Sequence, residues 1–399
     1  MSNNLLIRIL SSRLFVILIL LGFVLLVSAS VYFFIIKKEP APDETETPPM
    51  VKESEISPSP TEKPSQESPS PTAVPSNPGE TKVLSANEAS DPWLSPDGRS
   101  LRYLFPNEGT IYQINLQSKE ESAFVSFTPN LIKILWSPNG FHLANIFRQD
   151  DGKINKYSYN LITKENVLLD PNFKYIAWSA EGDKIAYHYF DQKTEEGFIS
   201  IANPDGKNWE NLTPIMAENL NVEWPQKNKI SFYNLSPSNS AASDLHIINP
   251  ESAGPLQKIL SAKYGLKANW SPSGTRLLFS ACESPGKNPK LFILNEALEE
   301  KPLNIEGMAD KCAWPPKLES HIYCALPQNV TGNINLPQDW YSDKFLSQDI
   351  IFKIDIDSGE KTKITKEAIY DVSNLLVAPE EDYLYFISKE SEFLYEVRL

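Results

Sequence analysis

The sequence predicts an all-β fold, a seven-bladed β-propeller, preceded by one transmembrane α-helix and a disordered tether. Three observations predict it. A self-similar unit recurs seven times between residue 85 and the end of the chain. Each unit reads as three strands and a weaker fourth. A spare strand segment before the first unit matches the fourth strand that the last unit lacks.

The clearest copies of the unit are LSPDGRSLRYLF (94–105), WSPNGFHLANIF (136–147), WSAEGDKIAYHY (178–189) and WSPSGTRLLFSA (270–281). Degenerate copies begin at Trp224, Trp314 and Val377. The seven lead positions are spaced by 42, 42, 46, 46, 44 and 63 residues. The lead aromatic ends a short apolar strand, and Ser-Pro-Asp-Gly then supplies turn chemistry. Proline fixes φ at the second turn position, Asp or Asn tolerates the third, and glycine takes the exit.

A period-two strand follows, as in Leu101 with Tyr103 or Leu277 with Phe279. The third strands are 111–116, 157–161, 198–202, 245–249, 291–295, 351–355 and 393–397. Four strands in roughly 40 to 45 residues make a propeller blade. The last copy reaches Leu399 after its third strand, and the segment Thr81–Ser85 is expected to pair beside it, closing the ring and protecting its sheet edges. The lead tryptophans, given their regular spacing, are read as packing between blades rather than as a carbohydrate-stacking surface.

Ahead of the repeats, residues 14–36 hold 23 uncharged residues. As a helix they span about 34 Å at about 1.5 Å per residue, enough for a hydrocarbon core of about 30 Å. Arg8 and Arg13 precede the run and Lys37-Lys38 follow it, so flanking charge alone orients it weakly. The polar cargo that follows points to a signal anchor, with residues 1–13 as a short cytoplasmic tail and the C-terminal domain outside. Cleavage after Val27-Ser28-Ala29 is the alternative, opposed by the apolar run continuing to Ile36. Residues 37–80 form the tether: eleven prolines lie between 39 and 80, among Ser, Thr and Glu. Such a segment cannot bury enough apolar area to offset its chain entropy.

Charge and motifs bound the function. The 37 basic and 51 acidic residues give a net charge of −14, which does not suit nucleic acid. Nine acidic residues and two lysines lie between Glu39 and Glu80, so about half the excess belongs to the tether. The chain has no Gly-x-Ser-x-Gly elbow, no HExxH and no phosphate-cradling glycine loop. The four histidines show no metal-ligand spacing, and no cofactor is expected.

Cys312 and Cys324 flank a hairpin whose turn centres near residue 318, which makes them a disulfide candidate, with Cys282 as an alternative partner. The long step between Trp314 and Val377 carries an insertion, Pro327–Tyr341. Its Trp340 and Tyr341 are candidate ligand contacts, or else a plug for the central channel.

The W-S-P-[DNS]-G turn followed by an [LI]-x-[YF] strand resembles the repeat of TolB-like, WD-repeat-type β-propellers, over about 315 of 399 residues. The resemblance implies the fold and leaves function open. TolB itself carries a further N-terminal α/β domain that this chain lacks. The expectation is a non-enzymatic, extracytoplasmic binding scaffold on a membrane anchor, probed by a protein, peptide or glycan. The alternatives are an accessory propeller gating a separate hydrolase, or an enzyme with its centre in the channel loops.

Overall fold

The structure, a computed structural model, describes residues 77–399 apart from 236–239, 253, 286–287, 333 and 369. The anchor at 14–36 and nearly all of the tether lie outside the described residues. Among the described residues no helix is long and apolar enough to cross a membrane.

The described chain is nearly all β, in antiparallel sheets. Repeat one forms β2 (Ser90–Leu94), β3 (Ser100–Phe105), β4 (Thr110–Asn115) and β5 (Glu121–Ser126), hydrogen-bonded in that order. Repeats two, three and six form four-stranded sheets in the same way. Repeats four and five join into one seven-stranded sheet through β17 (Gln257–Trp270). The first half of β17 pairs with the third strand of repeat four, and its second half pairs with β18 (Leu277–Cys282) of repeat five.

The turn motif folds for a readable reason. The serine after each lead turns its hydroxyl onto the returning strand: Ser95 Oγ accepts from Ser100 N–H at 2.9 Å and Ser137 Oγ from His142 N–H at 2.9 Å. The exit glycine needs a positive φ, 71° at Gly140. A Cβ there would also lie 2.5 Å from the Trp93 ring of the preceding repeat.

Consecutive repeats pack through separate cores, and the first and last repeats do so too. Leu101, Tyr103 and Ile114 of repeat one bury against Ala378, Tyr385 and Leu394 of repeat seven. The closing strand β1 (Thr81–Val83) pairs antiparallel with β27 (Leu394–Arg398) in the register Thr81↔Val397, Lys82↔Glu396, Val83↔Tyr395. The spare N-terminal strand therefore covers the edge of the last sheet.

The lead tryptophans bridge repeats. Trp136 Nε1 donates to Asp91 O at 2.8 Å, Trp178 Nε1 to Leu135 O at 3.0 Å and Trp314 Nε1 to Asn269 O at 3.1 Å. In each case the acceptor lies on the first strand of the preceding repeat. Trp224 and Trp270 differ: Trp224 Nε1 donates to Lys227 O within its own repeat, and Trp270 Nε1 to Ser231 Oγ on the second strand of repeat four. The first strands of neighbouring repeats also pack on one another, which makes them the innermost.

Candidate functional site: an ionisable cluster at the axis

The innermost strands share a feature that sequence reading missed. Three residues before each lead stand Asp91, Lys133, Tyr175, Asn221, Lys267, Lys311 and Asn374. None is aliphatic, although neighbouring positions on the same strands hold Ile134, Val222 and Leu375. A column of polar residues on the strands nearest the axis was the available signal.

In repeats four to six this column and its neighbours converge. Asn221 and Glu223 sit on β14 (Leu220–Gln226), where alternation turns Leu220, Val222 and Trp224 into one apolar interface and the two polar residues to the other face. Asn221 Nδ2 donates to Glu223 Oε1 at 2.7 Å. Lys267, on the second half of β17, lies 3.8 Å from Asp310 Oδ2 and holds its ammonium 4.5 Å from the centre of the Tyr341 ring. The Tyr341 hydroxyl donates to Asp310 Oδ2. Asp310 Oδ1 is buried and unpartnered.

Glu223 keeps some solvent contact while protein surrounds it. Burial pushes its carboxyl up to about 7; the Asp310 charge adds to this, against the Asn221 amide and Lys267. Burial, with the charges of Glu223 and Asp310, pushes the Tyr233 hydroxyl far up. Burial and Asp310 do the same to Tyr341. Two carboxyl groups, an ammonium and two phenols from repeats four to six therefore form one polar cluster.

The insertion roofs this region. Its short helix α1 (Gln338–Tyr341) packs Leu336, Trp340 and Phe345 against Met308 as a small separate core. Trp340 is buried, so its ring is not an open ligand surface. Its indole N–H donates to Asp371 at 2.8 and 3.1 Å, and Lys311 and Lys389 each hold an ammonium 4.6 Å from the ring. Trp340 packs inside, whereas Tyr341, half-buried, touches Asp310 and Lys267.

Cys312 and Cys324 stand opposite each other in register and form a disulfide with sulfurs 2.08 Å apart. Cys282 is free and buried, and burial pushes its thiol up to about 11. Of the histidines, His188 is fully buried with neither ring nitrogen partnered. Among the described residues no three His, Cys, Asp or Glu side chains are arranged to hold a metal ion.

No family model matches the chain, and no curated protein sequence matches it. Solved structures do. An oligogalacturonate lyase in complex with manganese aligns with a TM-score of 0.58 at 13% identity, over 80% of this chain and 93% of that one. The β-propeller domain of the Trilobed protease from Pyrococcus furiosus, described as having an open velcro topology, aligns at 0.53 and 16%, over 77% and 92%. The chain is a β-propeller. Its ring carries the closing strand already described. Pyrococcus horikoshii acylaminoacyl peptidase aligns at 0.51 and 15%, over 75% of this chain and 49% of that one.

These neighbours correct the expectation of a non-enzymatic protein. Propellers similar to this one include a lyase and peptidases, so neither the fold nor the absence of familiar motifs excludes catalysis. At these identities the likeness establishes the fold and no activity.

Proposed function

We propose that the chain is a membrane-anchored, extracytoplasmic propeller that binds its ligand in the axial well of Glu223, Lys267, Asp310 and Tyr341. On this reading the seven-stranded sheet counts as two blades, giving seven. Residues 14–36 hold the protein in the membrane and residues 37–80 space the ring away from it. The partner is a protein, peptide or glycan, and the acidic balance disfavours nucleic acid.

One observation carries the reading: charged groups from successive repeats converge where Asp310 keeps an unpartnered oxygen. A buried carboxylate oxygen without a donor is costly, and a ligand N–H or O–H entering the well would relieve that cost.

The test is a binding screen of the full-length chain in detergent against peptide and oligosaccharide arrays. Any ligand seated in the well should be lost in Asp310→Asn and Lys267→Ala variants that keep the native melting behaviour. Binding unchanged in both would place the site elsewhere.

Glu223 favours a second reading, catalysis in the same well. A carboxyl pushed up to about 7 exchanges its proton near neutrality, the condition for general acid–base work. Turnover assays on oligosaccharide and peptide substrates, comparing native chain with Glu223→Gln, separate the readings. Catalysis through Glu223 requires the variant to lose turnover while retaining binding.

A further inference from the structure

Beside the well lies a second cluster that the proposed function does not use. Lys311 has no solvent contact, and its ammonium meets four acceptors: Ser347 Oγ at 2.9 Å, Asp349 Oδ2 at 2.7 Å, Asp371 Oδ1 at 2.6 Å and Val372 O at 2.8 Å. The Asp349 and Asp371 side chains are 0% and 1% exposed. One ammonium and two carboxylates are thus taken wholly out of water. Burying a charge pair this completely is unfavourable unless every lone pair is served, and one negative charge is left over. The leftover need is visible, because Asp349 Oδ1 is buried without a partner.

The two carboxyls are not equivalent. Asp371 is saturated: it accepts from the Trp340 indole, from Ser347 N and from Ser347 Oγ as well as from Lys311. Burial raises its carboxyl, but Lys311 and these donors outweigh burial and hold it below the usual range, as an anion. Asp349 accepts only on Oδ2, from Lys311 and from Val372 N–H at 2.8 Å. There burial outweighs Lys311 and raises the carboxyl toward its neutral form. A neutral acid in contact with an ammonium whose hydrogen bond already runs to a carboxylate is the arrangement for acyl transfer to nitrogen once that proton moves.

We propose that Lys311 and Asp349 condense into an intramolecular amide bond. Asp371 takes a proton from the Lys311 ammonium, and the freed Nζ attacks the Asp349 carboxyl carbon. A 2.7 Å contact to Oδ2 leaves that carbon close to the about 3–3.5 Å of a near-attack arrangement. The Nζ–Cγ bond forms, and Val372 N–H steadies the negative oxygen of the tetrahedral intermediate. The Cγ–O bond to the other oxygen then breaks, that oxygen leaves as water with the proton returned by Asp371, and the second proton of the attacking nitrogen passes to Asp371, which ends as the neutral acid. No oxidant or further reactant is needed. Condensation of a free amine and acid is unfavourable in water, but here it removes two desolvated charges, the Lys311 ammonium and the Asp371 carboxylate, and leaves a neutral amide and a neutral acid. The bond ties the foot of the insertion to the entry of blade six, next to the Cys312–Cys324 disulfide.

The test is the mass of the full-length native chain after thiol reduction, followed by a tryptic map. The expected result is a chain lighter than its sequence mass by one water, with Lys311 resistant to trypsin and found in a branched peptide with Asp349. Asp349→Asn should lose ammonia instead of water, and Asp371→Asn should leave most of the chain uncondensed. A native chain at full sequence mass, with Lys311 cleaved normally, overturns the proposal. A branch from Lys311 to Asp371 overturns it equally.

Discussion

His188 makes this propeller sensitive to acid in a way that one substitution should remove. The imidazole is fully buried, 5.9 Å from Phe190, and neither nitrogen finds a partner. Burial pushes its pKa down from 6.5 to about 4, and the nearby Lys174 charge adds to the shift. The unfolded chain therefore takes up the proton first as pH falls. The histidine's contribution to stability is intact above pH 6.5, declines between 6.5 and about 4, and is lost below that. At about 1.4 kcal/mol per pH unit the loss amounts to about 3 kcal/mol. Carboxylates with lowered pKa also weaken the fold in acid, so the difference between native and variant isolates the imidazole. His188→Phe keeps the ring volume and removes both orphaned nitrogens. Urea unfolding of the full chain in detergent, followed by tryptophan fluorescence at pH 7 and 4.5, should show the variant losing about 2–3 kcal/mol less than the native chain over that interval. At pH 7 it should be at least as stable, since a buried polar group without a partner costs about 1–3 kcal/mol. Equal losses in the two proteins would refute the reasoning.

Three further outcomes follow from the packing. Reducing Cys312–Cys324, whose partners are 12 residues apart, should cost about 3 kcal/mol in chain entropy, read as a lower urea midpoint with dithiothreitol. Gly140→Ala combines a positive φ with a Cβ 2.5 Å from Trp93, and should lower stability by about 2 kcal/mol or more in the same assay. Replacing Thr81–Val83 with Gly-Pro-Gly should uncover the edge of β27, seen as a lower melting temperature and as concentration-dependent association in light scattering. An unchanged melt and a monodisperse sample would mean that β1 does not secure the ring.

The fold was largely legible because its signals are local. Ser-Pro-Asn-Gly at 137–140 specifies a turn whatever surrounds it, and alternation such as Leu101, Tyr103 marks a two-faced strand. Even the long-range pairing of Val83 with Tyr395 was readable, because a spare strand and a missing one can be counted. The merging of repeats four and five through β17 was not. The strand runs on through Ala262 and Gly265, both at positive φ, and whether strands continue through such a bend depends on backbone pairing rather than on residue type.

The axial cluster was hidden for a different reason. Glu223, Lys267 and Asp310 come from three repeats, and nothing in their own segments distinguishes them from solvated surface charges. Only the way the repeats stack puts them in one place: Lys267 stands three residues before its lead, Glu223 one and Asp310 four. Trp340 shows the reverse problem. An aromatic in an insertion reads as a binding residue, but Asp371, 31 residues away, claims its indole N–H and draws the ring inside.

The most direct test is the titration of Glu223, because the account requires it to share an enclosed well with Asp310. Infrared difference spectra of the native chain against Glu223→Gln should show a protonated carboxyl that titrates near pH 7, and Asp310→Asn should move that midpoint down, since removing a neighbouring negative charge favours ionisation. A Glu223 that titrates below pH 5, or that ignores the loss of Asp310, would contradict the account.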